Sequence, residues 1–161
     1  MDLTRIIAEL HSHHVEFILI GGIAARIHGS ARITQDVDLV YGRSDENIVR
    51  LVKAFAPFAP YPRGAPPDLP FEWSAKTVKA GLNFTLTTTL GAVDILGEVV
   101  GGGRYQDLVG HCITEKLFGH ATLVVSLPWL IRLKRAAGRV RDFEAVAELE
   151  LLQDLVNSPE S

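Results

Sequence analysis

Hydrophobic residues recur along this chain with two spacings, one typical of helices and the other typical of strands. Near the start, Leu3, Ile6, Ile7 and Leu10 fall on one side of a helix, which predicts an amphipathic helix packed on a sheet. In residues 36–41, apolar side chains alternate with others, including acidic ones, which predicts a strand with two acids on one face. The chain therefore combines helices with strands.

The same patterns predict the remaining elements. Helices are predicted over residues 3–14, 23–28, 44–55, 128–137 and 141–156, with one or two further helical turns at 74–79. Strands are predicted over residues 15–20, 36–41, 82–87, 92–96, 112–117 and 121–126. In the last helix, the predicted core-facing stripe consists of Phe143, Val146, Ala147, Glu150 and Leu151.

Residues 57–70 interrupt this pattern. They contain six prolines and Gly64, a composition that forbids regular structure and predicts a long surface loop. Loops of this length in a small domain are often functional lids.

The composition is that of a globular protein. With 161 residues, 47% of them hydrophobic and 22% charged, the chain is not a disordered tail, a collagen-like repeat or a coiled coil. We expect a single domain over residues 1–161, with a core at about 1–127 and a C-terminal helical segment at 128–161. A formal net charge of −3 leaves room only for a local basic patch, so any RNA contact would be regional.

Cysteine content and hydrophobic run length predict the compartment. Cys112 is the single cysteine and has no partner for an internal disulfide, and residues 1–5 lack the character of a secretory signal. The longest apolar stretch, residues 17–23, is far shorter than a membrane span. We therefore expect a cytoplasmic protein without a membrane partner.

Acidic residues within two of the predicted strands suggest chemistry. Asp36 and Asp38 project from the same face of a strand, roughly 6–7 Å apart. Asp94 lies in another apolar strand, where a carboxylate without a partner is costly to bury. If the strands are neighbours, the three carboxylates converge, and divalent cations such as Mg²⁺ would relieve their repulsion. Two such ions, about 3.5–4 Å apart, promote phosphoryl or nucleotidyl transfer.

A glycine pair precedes these acids at a predicted strand-to-helix turn. Gly21 and Gly22 have no side chains to keep a phosphate away from the backbone N–H groups. In order along the chain, the glycine pair, the sequence GSARITQDVD at residues 29–38 and Asp94 resemble the DNA polymerase beta-like nucleotidyltransferase superfamily. The sequence LKRAAGR at residues 133–139, followed by Asp142, resembles small bacterial nucleotidyltransferases related to AbiEii-type toxins.

This resemblance implies an α/β (α+β) fold with a mixed β-sheet flanked by helices and with C-terminal helices. It also implies transfer of a nucleoside monophosphate from a nucleoside triphosphate to an acceptor, with release of pyrophosphate. Asp36, Asp38 and Asp94 would be the catalytic and metal-binding residues, holding two Mg²⁺ ions. The nucleotide-binding residues would be Gly21, Gly22, Arg32 and Lys134.

Several alternatives remain open at this stage. Lys134 belongs to a basic run that is either a solvated helix face or a phosphate-binding surface. Arg32 would contact phosphate or brace Asp36, and Asp142 would pair with a base at residues 139–141. The acceptor is tRNA or another RNA, a protein or a small molecule. A toxin with an antitoxin partner, a homodimer, an inactive nucleotide- or partner-binding protein and a metal-dependent phosphoesterase are the other possibilities.

Overall fold

A seven-stranded mixed sheet forms the centre of the fold, and the computed structural model describes residues 1–158 except for the side chain of Arg141. The last three residues of the predicted domain 1–161 and C-terminal segment 128–161 lie outside that description, as does the Arg141 side chain of the predicted basic run. In chain order the strands of this sheet are β1 (Phe17–Ile20), β2 (Asp36–Tyr41), β3 (Tyr61–Pro62), β4 (Asn83–Thr88), β5 (Gly91–Leu96), β8 (Cys112–Leu117) and β9 (His120–Val125). A separate two-stranded ribbon joins β6 (Glu98–Val99) to β7 (Gly103–Arg104).

The strand order in the sheet is β3-β4-β5-β2-β1-β9-β8. The central strands β2 and β5 run parallel, as do β1 and β9, whereas the other neighbouring pairs are antiparallel. All four residues of β1 are buried, in agreement with its apolar, β-branched sequence. The sheet is therefore mixed, as the fold class implied by the sequence resemblance requires.

Seven α-helices accompany the sheet within the described residues. They are α1 (Leu3–Ser12), α2 (Gly21–Ile27), α3 (Asp45–Phe55), α4 (Ala75–Ala80), α5 (Tyr105–Leu108), α6 (Leu127–Ala137) and α7 (Phe143–Asn157). Short 3₁₀ turns lie at Ala56–Phe58, Val109–His111 and Val140–Asp142. Within residues 1–158 no helix combines the length and the apolar character needed to cross a membrane.

Local sequence explains where the main helices begin and end. The Asp2 side chain accepts a hydrogen bond from the backbone N–H of Arg5 and so caps α1, while the Ser44 side chain caps α3 through the N–H of Asn47. Gly138 ends α6 in a left-handed conformation, with φ of +65°. The predicted helices 3–14, 44–55 and 128–137 thus match observed ones to within two residues at each end.

The predicted proline-rich loop is only partly irregular. Residues 57–70 contain the end of a 3₁₀ turn and the edge strand β3, so the prediction that no regular structure forms there is wrong. Pro62 belongs to a sheet edge, where its lack of an N–H group costs no ladder hydrogen bond. This edge strand brings the following residue, Arg63, beside β4, where its N–H donates to the carbonyl of Thr85 at 2.9 Å.

The predicted core-facing stripe of α7 is only partly correct, because Val146 packs half-buried against the core whereas Phe143, Ala147 and Leu151 are exposed. Phe143 and Leu151 of the predicted core-facing stripe are 62% and 66% exposed, whereas Ala145 and Leu149 are buried. α7 packs against α6 through this other face. The observed orientation of α7 also places Glu144 and Glu148 beside Arg32. These ion pairs join distant parts of the chain, so the periodicity of the helix alone could not predict them.

Candidate metal and nucleotide site

Three carboxylates converge on one face of the central strands β2 and β5. Parallel pairing places Asp38 of β2 directly opposite Asp94 of β5, while Asp36 lies two residues before Asp38 on the same face. One carboxylate oxygen of each lies within 4.8 Å of the others. The Thr34 hydroxyl orients Asp36, because it lies 3.1 Å from the Asp36 carbonyl oxygen and 3.3 Å from its Oδ1. The predicted convergence of Asp36, Asp38 and Asp94 is therefore present.

The glycine pair makes room for this cluster. Gly21 adopts φ of +65°, and a Cβ placed on it would lie 2.0 Å from Asp38 Oδ2. A Cβ on Gly22 would lie 2.6 Å from the Thr34 hydroxyl. The observed helix α2 begins at Gly21 itself, two residues earlier than predicted. The absence of side chains at these positions thus allows the Asp38 carboxylate and its supporting loop to approach the backbone.

The Asp38 carboxyl is the most perturbed acid of the cluster. Its pKa rises from its ordinary value of 3.8 to about 7, chiefly because burial disfavours the charged form. The neighbouring charges of Asp36 and Asp94 raise this pKa further, as does a hydrogen bond with Asp94, while the Lys134 ammonium opposes the shift. Near neutral pH the Asp38 carboxyl is therefore only partly ionised, and a cation bound there would favour its ionised form.

A guanidinium group lies against the same acids. Arg63 Nη2 donates to Asp94 Oδ1 at 2.9 Å and to the Leu86 carbonyl oxygen at 2.8 Å. Its Nη1 lies 3.9 Å from Asp36 Oδ2. The Nε of Arg63 is buried without a hydrogen-bond partner. Residues 57–70 thus contribute directly to the site, through a residue that the sequence analysis did not single out.

The acids line a cleft of about 820 Å³ between the sheet and the C-terminal helices. Lys134 of α6 lines it half-buried, together with Gly21 and Gly22. Apolar side chains, including Val99, Leu130 and Leu133, form part of the wall. The cleft therefore combines a negatively charged end, formed by the three acids, with a basic group and an apolar wall.

Arg32 lines the same cleft but does not brace Asp36. Its guanidinium pairs instead with Glu144 at 3.4 Å and Glu148 at 3.9 Å on α7. Asp142 also lines the cleft, half-buried. Its predicted pairing with a base is not among the ion pairs of the described side chains, from which Arg141 is excluded.

Comparison with solved structures identifies the architecture. An antigenic nucleotidyltransferase-like protein from Paracoccidioides brasiliensis superposes with a TM-score of 0.59 at 17% identity, over 98% of this chain and 76% of that one. The chain has a nucleotidyltransferase-like fold. A protein from Thermotoga maritima, described as a candidate nucleotidyltransferase, gives a TM-score of 0.50 at 16% identity over 96% of this chain and 90% of that one. No protein-family model and no curated protein matches the sequence.

The donor set of this nucleotidyltransferase-like fold suits a hard divalent cation. Carboxylate oxygens are the ligands that Mg²⁺ and Mn²⁺ prefer, and here they come from rigid neighbouring strands. The space left by Gly21 gives Asp38 its position over the backbone. Asp36, Asp38 and Asp94 therefore form a donor set that could hold such a cation.

Three contributors escaped the sequence analysis. Thr34 and Glu148 act through contacts that no spacing rule reveals, the latter accepting a hydrogen bond from the Ser30 hydroxyl. Arg63 left one usable signal, since it is the single basic residue of residues 57–70. The available indication was a lone base in a loop whose one other charged residue is an acid, within a chain that has three acids in predicted strands.

Proposed function

We propose that this protein is a metal-dependent nucleotidyltransferase, which transfers a nucleoside monophosphate from a nucleoside triphosphate to an acceptor. The observation that carries the proposal is the convergence of three carboxylates within a cleft of a nucleotidyltransferase-like fold. Three acids on two neighbouring strands are costly for stability, which is expected of a functional cluster rather than a structural one.

Asp36, Asp38 and Asp94 would hold Mg²⁺, with two ions bound in the full complex. Bound Mg²⁺ would neutralise the triphosphate and stabilise the charge that develops on the attacking and leaving oxygens. Gly21 and Gly22 line the cleft beside the acids, where their backbone would contact the phosphates, and Lys134 supplies a positive charge on the facing helix. Arg32 is the weaker candidate for a phosphate ligand, since two glutamates already engage its guanidinium.

The reaction would proceed by attack of an acceptor oxygen on the α-phosphorus. As the new bond forms, the bond from that phosphorus to the oxygen bridging the α- and β-phosphates breaks, and pyrophosphate leaves with the electron pair. Asp94 orients the acceptor hydroxyl and accepts its proton. Leu130, Leu133 and Val99 provide the apolar wall against which the nucleobase would lie.

The acceptor and biological role extend this proposal. We favour an RNA or another phosphate-bearing acceptor, because two bases of the basic run, Lys134 and Arg139, line the cleft that holds the acids. A protein or a small molecule is the competing acceptor. The AbiEii-type resemblance supports a cytoplasmic toxin restrained by an antitoxin, and exposed apolar residues of α7 such as Leu151 and Leu155 give such a partner, or a second copy, a surface.

The test is a labelling experiment with each α-labelled nucleoside triphosphate, Mg²⁺, total RNA and cell lysate. Wild type, the double variant Asp36→Ala/Asp38→Ala and the surface control Glu46→Ala are compared; Glu46 is exposed on α3, which does not line the cleft. Label on RNA or protein with wild type and the control, but not with the double variant, supports the proposal and names the acceptor class.

Two other outcomes would contradict it. Release of monophosphate or inorganic phosphate without transfer would indicate a phosphoesterase. Absence of both label and pyrophosphate, with retained nucleotide affinity, would indicate a non-catalytic nucleotide-binding protein. The Arg63–Asp94 ion pair favours this second candidate, because it engages one of the three acids.

A further inference from the structure

The guanidinium of Arg63 already contacts two of the three carboxylates that a bound metal ion would use. Its Nη2 donates a hydrogen bond to Asp94 Oδ1 at 2.9 Å, while Nη1 lies 3.9 Å from Asp36 Oδ2. These two acids come from neighbouring strands and belong to the cluster whose oxygens lie within 4.8 Å of one another. A single side chain, which follows the edge strand β3, thus neutralises part of the negative charge of the cluster.

We propose that Arg63 is a built-in counter-ion that competes with divalent cations for the Asp36, Asp38 and Asp94 cluster. The inference rests on the proposed function, since it assumes that the cluster binds metal. Metal binding must then displace the guanidinium from Asp94, so the free protein has a low metal affinity. Metal ions that arrive together with an anionic substrate overcome this barrier, because the released guanidinium gains a phosphate as its new partner.

Charge and geometry both require competition. A positive guanidinium within 4 Å of two ligands repels a divalent cation held by the same ligands. Asp94 Oδ1 also directs its electron pair at the Nη2 proton, which leaves it less available for a metal. The Arg63 and Asp94 side chains are only 31% and 23% exposed, so solvent screens this repulsion incompletely.

The position of Arg63 in the fold permits its release. It follows β3, which has only two residues and pairs on one side alone. Gly64, the next residue, has φ of +79° and open space around its Cβ position. The Arg63 Nε, buried without a partner, shows that the observed position leaves one donor unsatisfied. The Arg63 side chain therefore extends from the end of a two-residue edge strand. When it leaves the cluster, it loses fewer hydrogen bonds than a fully bonded guanidinium would.

The experiment measures Mn²⁺ affinity by calorimetry and by electron paramagnetic resonance, without nucleotide, for wild type and three variants. Arg63→Gln removes the charge, Arg63→Lys retains it, and Arg50→Gln removes a matched charge from the exposed surface of α3. We expect Arg63→Gln to bind Mn²⁺ at least about tenfold more tightly, which corresponds to about 1.4 kcal/mol. Arg63→Lys should remain within about threefold of wild type, and Arg50→Gln should be unchanged.

The results separate this inference from the function beneath it. Equal Mn²⁺ affinity in wild type and Arg63→Gln, or weaker binding in the variant, overturns the role of Arg63 while leaving the metal site intact. Absence of Mn²⁺ binding in both proteins overturns the metal-dependent function and this inference together.

A second variant guards against a folding defect in Arg63→Gln, which far-ultraviolet circular dichroism would reveal. In Arg63→Ala, added guanidinium ion at low millimolar concentration should weaken Mn²⁺ binding more than potassium ion of equal ionic strength does. The same addition should leave Arg50→Ala unaffected. No difference between guanidinium and potassium in Arg63→Ala would contradict competition at this position.

Discussion

Replacing Asp38 with asparagine should stabilise the metal-free protein, and the gain should grow as the pH rises. The folded protein keeps the Asp38 proton up to a pKa of about 7, whereas the unfolded chain releases it near 3.8. Between these values the unfolded state binds fewer protons, so the stability of wild type falls as the pH rises and levels off above 7. Asparagine has no proton to lose at this position and escapes that loss.

The magnitude follows from the pH window. Each pH unit between 5 and 7 removes up to about 1.4 kcal/mol of wild-type stability through this group. The advantage of Asp38→Asn over wild type should therefore increase by about 2–3 kcal/mol between pH 5 and pH 8.5. Saturating Mn²⁺ should reverse the order at pH 8.5, because wild type alone keeps the full set of ligands.

Urea unfolding in EDTA, followed by circular dichroism at several pH values, measures this difference. Asp68→Asn, at an exposed position, serves as the control and should track wild type across the whole range. An advantage of Asp38→Asn that stays constant or shrinks as the pH rises would refute the link between the buried cluster and stability.

Two further substitutions test the supports of the site. Gly21→Ala should lower stability by about 2–4 kcal/mol and weaken Mn²⁺ binding at least about tenfold. The reason is that φ at Gly21 is +65° and the new Cβ would meet Asp38 Oδ2 at 2.0 Å. The control Gly110→Ala, at a position with open space and no positive φ, should change stability by less than about 0.5 kcal/mol in the same denaturation assay. Asn47→Ala should cost about 2–4 kcal/mol in urea unfolding while Mn²⁺ affinity is unchanged, because the buried Asn47 amide bonds to the backbone of Glu16 and Gly42 far from the cluster. A large loss of metal binding in Asn47→Ala, or none in Gly21→Ala, would contradict the assignment of Gly21 to the metal site and of Asn47 to stability alone.

The acids were predictable because their pattern is local. The alternation in residues 36–41 puts both aspartates on one face of a strand whatever its neighbours are. Placing Asp94 beside them needed only the assumption that two apolar strands pair, which the register of β2 and β5 bears out. The convergence therefore followed from sequence, whereas the roles assigned to the residues still depend on experiment.

The errors arose where distant contacts decide the structure. α7 carries apolar residues on more than one side, and its packing on α6, together with the Arg32 pairing, buries Ala145 and Leu149 instead of Phe143 and Leu151. Proline content correctly indicated an irregular segment at residues 57–70 but gave no sign of an edge strand. Arg63 reaches the acids only because β3 pairs with β4, a contact between segments that are separate in sequence.

The parallel pairing of β2 with β5 has a consequence for synthesis of the protein. Residues 38 and 94 become neighbours only after the intervening crossover has formed, and β9 at residues 120–125 must then cover β1 on its other side. A chain emerging from the ribosome cannot complete the sheet until β9 has left the exit tunnel, because β9 lies between β1 and β8 in the strand order. Unfinished copies of the chain that end before residue 134 would therefore lack both β9 and the Lys134 side chain of the cleft, so any transfer activity would begin only after α6 has been made.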